Sequence, residues 1–435
     1  MPARLDSAHP GFRDAFEALL ARPLEAQADV AREVARIVAE IREEGDDALL
    51  RHTAALDGFR ADSVAALKVP EAEIAAARAG CGADLIDALE AAEARIAAFH
   101  ARQMPEPLSY VDDAGVRLGQ RWTPLDAVGI YVPGGTASYP SSVLMNAVPA
   151  RIAGVGRIAM AVPAPGGRVA APVLAAAAVA GVSEIWRIGG AQAVAALAWG
   201  TATVRPVDKI AGPGNAWVAE AKRQVFGKVG IDLIAGPSEI LVVADSANDP
   251  TWIAADLLSQ AEHDPLAQPV LIADDGDFAD RVVAAAEAHL AALPRADIAR
   301  ASWEGRGAVI VVGSLDEAPA LIDRIAPEHL ELAIADPDRL AGRVRHAGAI
   351  FLGRHTPEAI GDYVAGPNHV LPTAGSARFA SGLGVLDFMK RTSIVGCDEA
   401  AFAAIAPAAV SLARCEGLDA HALSLTIRAD PPTNG

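Results

Sequence analysis

The sequence has few cysteines, no long hydrophobic run, too little positive charge to balance its acids, and no GxGxxG. Three cysteines in 435 residues, Cys81, Cys397 and Cys415, include no CxxC and no even spacing. They support neither a disulfide framework nor a thiolate zinc cage. The longest apolar run, VAAPVLAAAAVAGV from Val169 to Val182, spans 14 residues and contains a proline. A membrane span needs about 20, so this run reads as a buried helix. The amino-terminal MPARLDSAHPGFRDAF lacks an apolar stretch behind a basic start, so the expectation is a cytoplasmic protein without a secretion signal. With 37 basic against 55 acidic residues the formal charge is −18, which disfavours nucleic acid and anionic membranes and suits a neutral or cationic small substrate. The missing GxGxxG removes the usual dinucleotide fingerprint.

What is present is an ordinary globular composition, 52% hydrophobic and 21% charged, with no internal repeat and no low-complexity linker. From about Pro23 to His100 apolar residues recur at helical spacing, as in AREVARIVAEIREEGDDALLRHTAAL and DLIDALEAAEARIAAFHARQ. Beyond Pro105 short β-rich runs alternate with Ala-rich helical stretches. The strand candidates are AVGIYVP, RIAMAVPA, EIWRIGG, IDLIAGPSEILVVAD, PVLIADD, GAVIVVG, LELAIAD and GAIFLG. Strands separated by helices predict an α/β protein with parallel βαβ units in three layers. The strands fall into two groups that divide near Ser238, so two α/β units are expected. The amino-terminal helices should pack on the second unit to bury their apolar faces, and beyond GLGVLDFMKRTS a small, mostly helical tail should follow.

Several stretches break the periodicity and carry polar groups. LLSQAEHDP closes a helix that begins near Pro250, and Gln260 and His263, three residues apart, share a face on which their heads can meet one ion. Zinc takes His nitrogen and, less often, an amide oxygen, but two ligands do not make a site. GIYVPGGTASYPSS and IGGAQAVAALAWG are glycine-rich turns. In the second, a helix starts directly after Gly189–Gly190, aiming backbone N–H groups and the positive dipole end outward; a tight βα connection is the plainer reading. In KIAGPGNAW, Asn215 stands at a helix N-cap, free either to cap or to face a ligand. In RIAPEHLEL, Glu328 and His329 are adjacent and can serve one pocket only from a turn, each for its own proton transfer; a capping glutamate and a half-buried histidine are the structural alternative. GDYVAGPNHVLPTAGSARF places Asp362, Asn368 and His369 in a loop too rich in Gly and Pro for regular structure. CEGLDAHALS offers Glu416, Asp419 and His421 on a helix turn.

Six of these segments, in this order, are KIAGPGNAWVAEAKRQVFGKVGIDLIAGPSEILVVAD, LLSQAEHDP, APEHLEL, GDYVAGPNHVLPT, SGLGVLDFMKRTS and EGLDAH. Together they resemble the histidinol dehydrogenase family, which performs the last two steps of histidine biosynthesis, and the resemblance spans nearly the whole chain. It implies two incomplete Rossmann-like units with a helical tail. The implied boundaries are an N-terminal helical arm over 1–25, a first α/β domain over 26–131 plus 239–380 carrying the metal and catalytic residues, a second, NAD-binding one over 132–238, and a tail domain over 381–435 that contacts the partner subunit. It implies one zinc per subunit on Gln260, His263, Asp362 and His421. The same four residues, with Ser238, His329, His369 and Glu416, would contact L-histidinol, and Tyr131, Gln192 and Asn215 would contact NAD. A homodimer is implied, in which the tail of one subunit brings Glu416 and His421 to the site of the other.

The implied reaction is a four-electron oxidation of alcohol to aldehyde to carboxylate with two NAD. His329 would take the alcohol proton, Glu328 would activate water, and the metal would act mainly as a template. None of the cysteines falls on a catalytic position of the family. The alternatives are a related dehydrogenase of another small polar alcohol, such as a sulfonated diol, and a non-catalytic zinc- or nucleotide-binding protein on the same scaffold. Glu416 and His369 suit an anionic substrate poorly, and the intact Glu328–His329 pair argues against loss of catalysis.

Overall fold

The computed structural model describes residues 1–21, 28–134 and 138–429. The predicted boundary at Pro23 and part of the GIYVPGGTASYPSS turn lie outside these residues. The chain divides into two compact units: residues 1–103 with 125–388, and residues 104–124 with 389–435. No helix among the described residues is long and apolar enough to cross a membrane.

The larger unit holds two parallel sheets. One has six strands, in spatial order Ala3–Asp6, Ala308–Val311, Gln268–Ala273, Glu239–Ala244, His329–Ala333 and Ala349–Leu352. All of its pairings are parallel. Its central strand shows why the layers number three. Ile240, Val242 and Ala244 enter a core with Leu257, Phe278 and Trp303, whereas Leu241 and Val243 enter a second core with Phe16, Ile322 and Leu340. Side chains alternate across a strand, so a continuous apolar run needs cover on both faces. The other sheet has five parallel strands, in order Glu184–Trp186, Arg157–Ala161, Ala127–Tyr131, Lys209–Ala211 and Gly230–Ile231.

Two amino-terminal expectations need correction. Residues Ala3–Asp6 form an edge strand of the six-stranded sheet, paired with Ala308–Val311, rather than part of a helical arm. The helix Ala28–Glu44 packs on the first group of strands, not the second. Val30, Val34, Ile37 and Ile41, one stripe at helical spacing, are buried against Ala191–Ala198 and Val218. Helical spacing identifies the buried stripe but not the surface that receives it.

The smaller unit is a three-stranded antiparallel sheet, Met389–Gly396 beside Arg117–Pro124 beside Leu108–Val111, together with a helix pair, Glu399–Cys415 and Asp419–Ala429. Its strands are largely exposed and mixed in polarity, as in RLGQRWTP, which is why no strand was expected there.

A half-buried ion pair joins neighbouring strands of the five-stranded sheet. Arg157 Nε and Nη2 each donate to Glu184 at 2.9 Å, and Trp186 Nε1 donates at 3.1 Å. Burial pushes the Glu184 carboxyl up, but these hydrogen bonds outweigh it and the net shift is downward. A carboxyl whose folded value is lowered stabilises the fold above its unfolded value of 4.5, and that stability is lost as pH falls through the folded value. Glu184→Gln is therefore expected to cost about 1–3 kcal/mol at pH 7. Urea denaturation should find the parent and variant converging as pH falls through the lowered folded value, below 4.5.

Candidate active site

The ionisable cluster forms where the strand His329–Ala333 begins. The helix Ala318–Ile325 ends at Ala326, which takes a left-handed conformation (φ 50°, ψ 61°) just before Pro327, and the chain turns there to deliver Glu328 and His329. A left-handed alanine is strained and persists only where its surroundings hold it. The adjacent side chains meet by gripping one residue of the neighbouring strand: the Glu239 N–H donates to Glu328 Oε2 at 2.8 Å, and His329 Nδ1 lies 2.9 Å from the Glu239 carbonyl. A carbonyl only accepts, so the proton sits on Nδ1 and Nε2 carries the lone pair. Nε2 is buried without a hydrogen-bond partner and lies 3.8 Å from both Glu358 Oε1 and Asp362 Oδ1.

Glu358 and Asp362 share a face of the short helix Glu358–Tyr363, four residues apart. Ligand atoms of His329, Glu358 and Asp362 all lie within 4.8 Å of one another. Gln260 Nε2 donates to Glu358 Oε1, and Ser259 Oγ donates to Glu358 Oε2 at 3.0 Å. Gln260 Oε1 is buried with no partner. His369 Nδ1 lies 3.0 Å from the Asp362 carbonyl and 3.8 Å from its Oδ1.

The electrostatics of this cluster are one-sided. Burial raises the Glu328 carboxyl well above its ordinary value, against the hydrogen bond from Glu239. Burial, then the charge of Asp362, pushes Glu358 up to about 7, and burial pushes Asp362 up to about 6. Burial lowers His329, and pushes His369 down to about 4. Among the described residues these three carboxylates find only histidines as charged partners within 4 Å, never lysine or arginine. Three acids, neutral imidazoles and an unpartnered amide oxygen are a donor set short of positive charge, and they fit a divalent cation.

The predicted residues distribute as follows. Glu328, His329, Asp362, His369 and Gln260 come together in this cluster. His263, just past the end of the helix Pro250–Ala261, is exposed, yet its charge depresses both His329 and His369. Ser238 directly precedes the strand Glu239–Ala244. Glu416 and His421 belong to the smaller unit and are exposed. Three participants were not anticipated: Glu358, whose spacing to Asp362 in PEAIGDY was a usable signal, Glu239, which acts mainly through its backbone, and Glu331, two residues along the strand from His329. Glu331 is hydrogen-bonded to Asp256, and burial together with that neighbour pushes it up to about 9.

Tyr131, Gln192 and Asn215 line a single cavity of about 320 Å³. It opens between the glycine-rich turns of the five-stranded sheet, and Ile37, Leu56 and Trp217 supply apolar walls. One expectation fails here: the N–H groups of Gly189 and Gly190 do not point free. They donate to Asp57 Oδ2 at 3.0 Å and to the Tyr131 hydroxyl at 3.1 Å. Asn215 Oδ1 caps the helix Ala216–Val225 through the N–H groups of Trp217 and Val218 at 3.1 and 3.2 Å.

The Gly-Pro-Gly-Asn turn is pinned from beneath. Buried Lys222 pairs with Asp232 and donates to the Gly212 carbonyl at 3.0 Å, while the Gly212 N–H donates to Asp232 at 2.7 Å. Gly212 has φ +113°, and a methyl group there would run into the Tyr131 carbonyl. Gly212→Ala is accordingly expected to cost about 3 kcal/mol or more. Chemical denaturation should report it, and an unchanged midpoint would contradict this account of the turn.

The class that fold and site define is a parallel α/β enzyme, with a glycine-lined cavity on one sheet and a buried acid–histidine cluster on the other. A family model described as histidinol dehydrogenase matches residues 20–429. Histidinol dehydrogenase of Rhodospirillum rubrum is 62% identical over 98% of this chain and 99% of that relative, and that of Nitrobacter winogradskyi is 60% identical over 98% and 100%. The crystal structure of histidinol dehydrogenase from Elizabethkingia anophelis superposes with a TM-score of 0.93 at 34% identity, covering 98% of both chains. The chain belongs to the histidinol dehydrogenase family.

Proposed function

We propose that this enzyme oxidises L-histidinol through L-histidinaldehyde to L-histidine, using two NAD in succession and one zinc ion per subunit. The observation that carries the reading is His329: its Nδ1 is committed to the Glu239 carbonyl, and its basic Nε2 is left unpartnered among Glu358 and Asp362. A neutral imidazole held in one tautomer is a ready proton acceptor.

Gln260, His263 and Asp362, with His421 of a second copy, would hold the metal. The unpartnered Gln260 oxygen and the excess of buried carboxylate support this set. Glu358 would orient Gln260 by accepting from its amide. When bound, the metal fixes the imidazole and amine of the substrate and NAD takes up the hydrides. The residues do the rest. His329 Nε2 accepts the alcohol proton as the first hydride leaves the carbinol carbon. Glu328, whose raised carboxyl makes a stronger base, takes a proton from the water that adds to the aldehyde. Loss of a second hydride and one hydroxyl proton from the resulting diol gives the carboxylic acid, which ionises to the carboxylate by releasing its remaining proton.

Ser238, His369 and Glu416 would complete the substrate contacts, and Tyr131, Gln192 and Asn215 the NAD contacts. A homodimer would supply Glu416 and His421 in trans. The exposed Leu412, Leu418, Leu423 and Ile427 on the same helix pair support an interface there. NADH formation with L-histidinol tests the assignment. Turnover of a sulfonated diol, with none of L-histidinol by zinc-loaded protein, would overturn it.

A further inference from the structure

The cavity holding Tyr131, Gln192 and Asn215 has one charged lining residue among those described, and it is an acid. Asp57 follows the helix Asp46–Leu56, more than a hundred residues upstream of the turn it touches. Its Oδ2 accepts from the Gly189 N–H at 3.0 Å and from Gln192 Nε2 at 3.1 Å. Among the described residues no lysine or arginine pairs with it, and no hydrogen bond reaches its Oδ1.

Three consequences follow from this placement. A phosphate cannot use the Gly189 N–H, because a carboxylate already occupies it, so the usual seat of a pyrophosphate at a βα turn is closed. Three of the lining residues, Leu56, Ile37 and Trp217, give the cavity apolar surface suited to a flat heterocycle. The cavity shares no lining residue with the His329 cluster, where hydride transfer must occur, and its volume of about 320 Å³ holds only part of a dinucleotide. The part seated here is thus the end remote from the reacting ring.

We infer that Asp57 receives the hydroxyls of the adenosine ribose and makes the enzyme select NAD over NADP. A carboxylate with a free oxygen accepts from vicinal hydroxyls, whereas a 2′-phosphate would bring two negative charges against it with no cation in the wall to offset them. The acid that performs this task in other nucleotide folds sits at the end of a nearby strand. Here it arrives from the amino-terminal helices, which gives those helices a part in cofactor selection. The inference rests on the assignment of the cavity to NAD.

The test measures dissociation constants of NADH and NADPH for the full-length zinc enzyme and for Asp57→Asn, Asp57→Ser and Leu56→Trp. The parent is expected to prefer NADH. Asp57→Ser should weaken NADH about ten- to a hundredfold, the range of a hydrogen bond to a charged group, and NADPH far less, so that the preference falls at least about tenfold. Asp57→Asn, which keeps an acceptor for Gly189, should lose preference with a smaller loss of NADH affinity. A parent without preference, or variants that lose NADH and NADPH in parallel, would overturn the role of Asp57 and leave it a structural cap on the turn. Leu56→Trp, at an exposed position of the cavity wall, separates the two readings. If it leaves NADH binding unchanged, the cavity is not the cofactor site and both fall. If it weakens NADH while the Asp57 variants keep the parental preference, only the inference about Asp57 falls.

Discussion

His329→Asn is expected to lower kcat for L-histidinol about 10²- to 10⁴-fold, the range associated with removal of a positioned general base. The asparagine amide can still donate to the Glu239 carbonyl, which His329 Nδ1 meets at 2.9 Å, so the strand junction keeps its hydrogen bond while the basic nitrogen disappears. Both oxidations should slow, whether the reaction starts from alcohol or from aldehyde. Glu328→Gln should behave differently. The glutamine oxygen still accepts from the Glu239 N–H, replacing the 2.8 Å bond of the carboxylate, but no base remains for water. Rapid mixing should then show one equivalent of NADH forming quickly and the second slowly. A Glu328→Gln protein with two equally fast equivalents would remove Glu328 from the hydration step.

Metal removal is the second large effect. Dialysis against a chelator should abolish turnover and zinc should restore it, because on the proposed assignment the metal would hold the substrate's imidazole and amine. Asp362→Asn should remove most activity and lower metal content, since a neutral amide replaces the carboxylate of the ligand set. Glu358→Gln is the finer probe. Its two carboxylate oxygens accept from Gln260 and Ser259, a glutamine can satisfy only one of them, and loss of such an outer contact typically costs about 10–100-fold in metal affinity or activity. Full activity at low zinc in Glu358→Gln would show that Gln260 needs no such support. Metal analysis by plasma emission, beside turnover at graded zinc, reads both variants.

Much of the fold was legible because the buried strands are uniform in texture. EILVVA and PVLIA are apolar on both faces, and only a covered parallel sheet explains that. The strand Lys209–Ala211 escaped notice because three residues carry no period, and Ala3–Asp6 because a single pairing with Ala308–Val311 defines it. The site was legible where Gly and Pro interrupt periodicity, as around Asn215 and His369, whereas Asp362, expected in the same irregular loop, stands on the helix Glu358–Tyr363. The convergence of Glu328 and His329 was not, since it depends on their shared grip on Glu239, a residue of another strand. Asp57 was hidden for the same reason: nothing near it in sequence foretells the turn at Gly189, 132 positions away.

The stoichiometry of the reaction is the most direct measure of two oxidations at one site. L-histidinol, limiting and consumed to completion by zinc-loaded enzyme with excess NAD, should yield two NADH per molecule and L-histidine as the only product by chromatography. One NADH per molecule with free aldehyde accumulating would contradict this, because Glu328 and His329 would then serve a single oxidation.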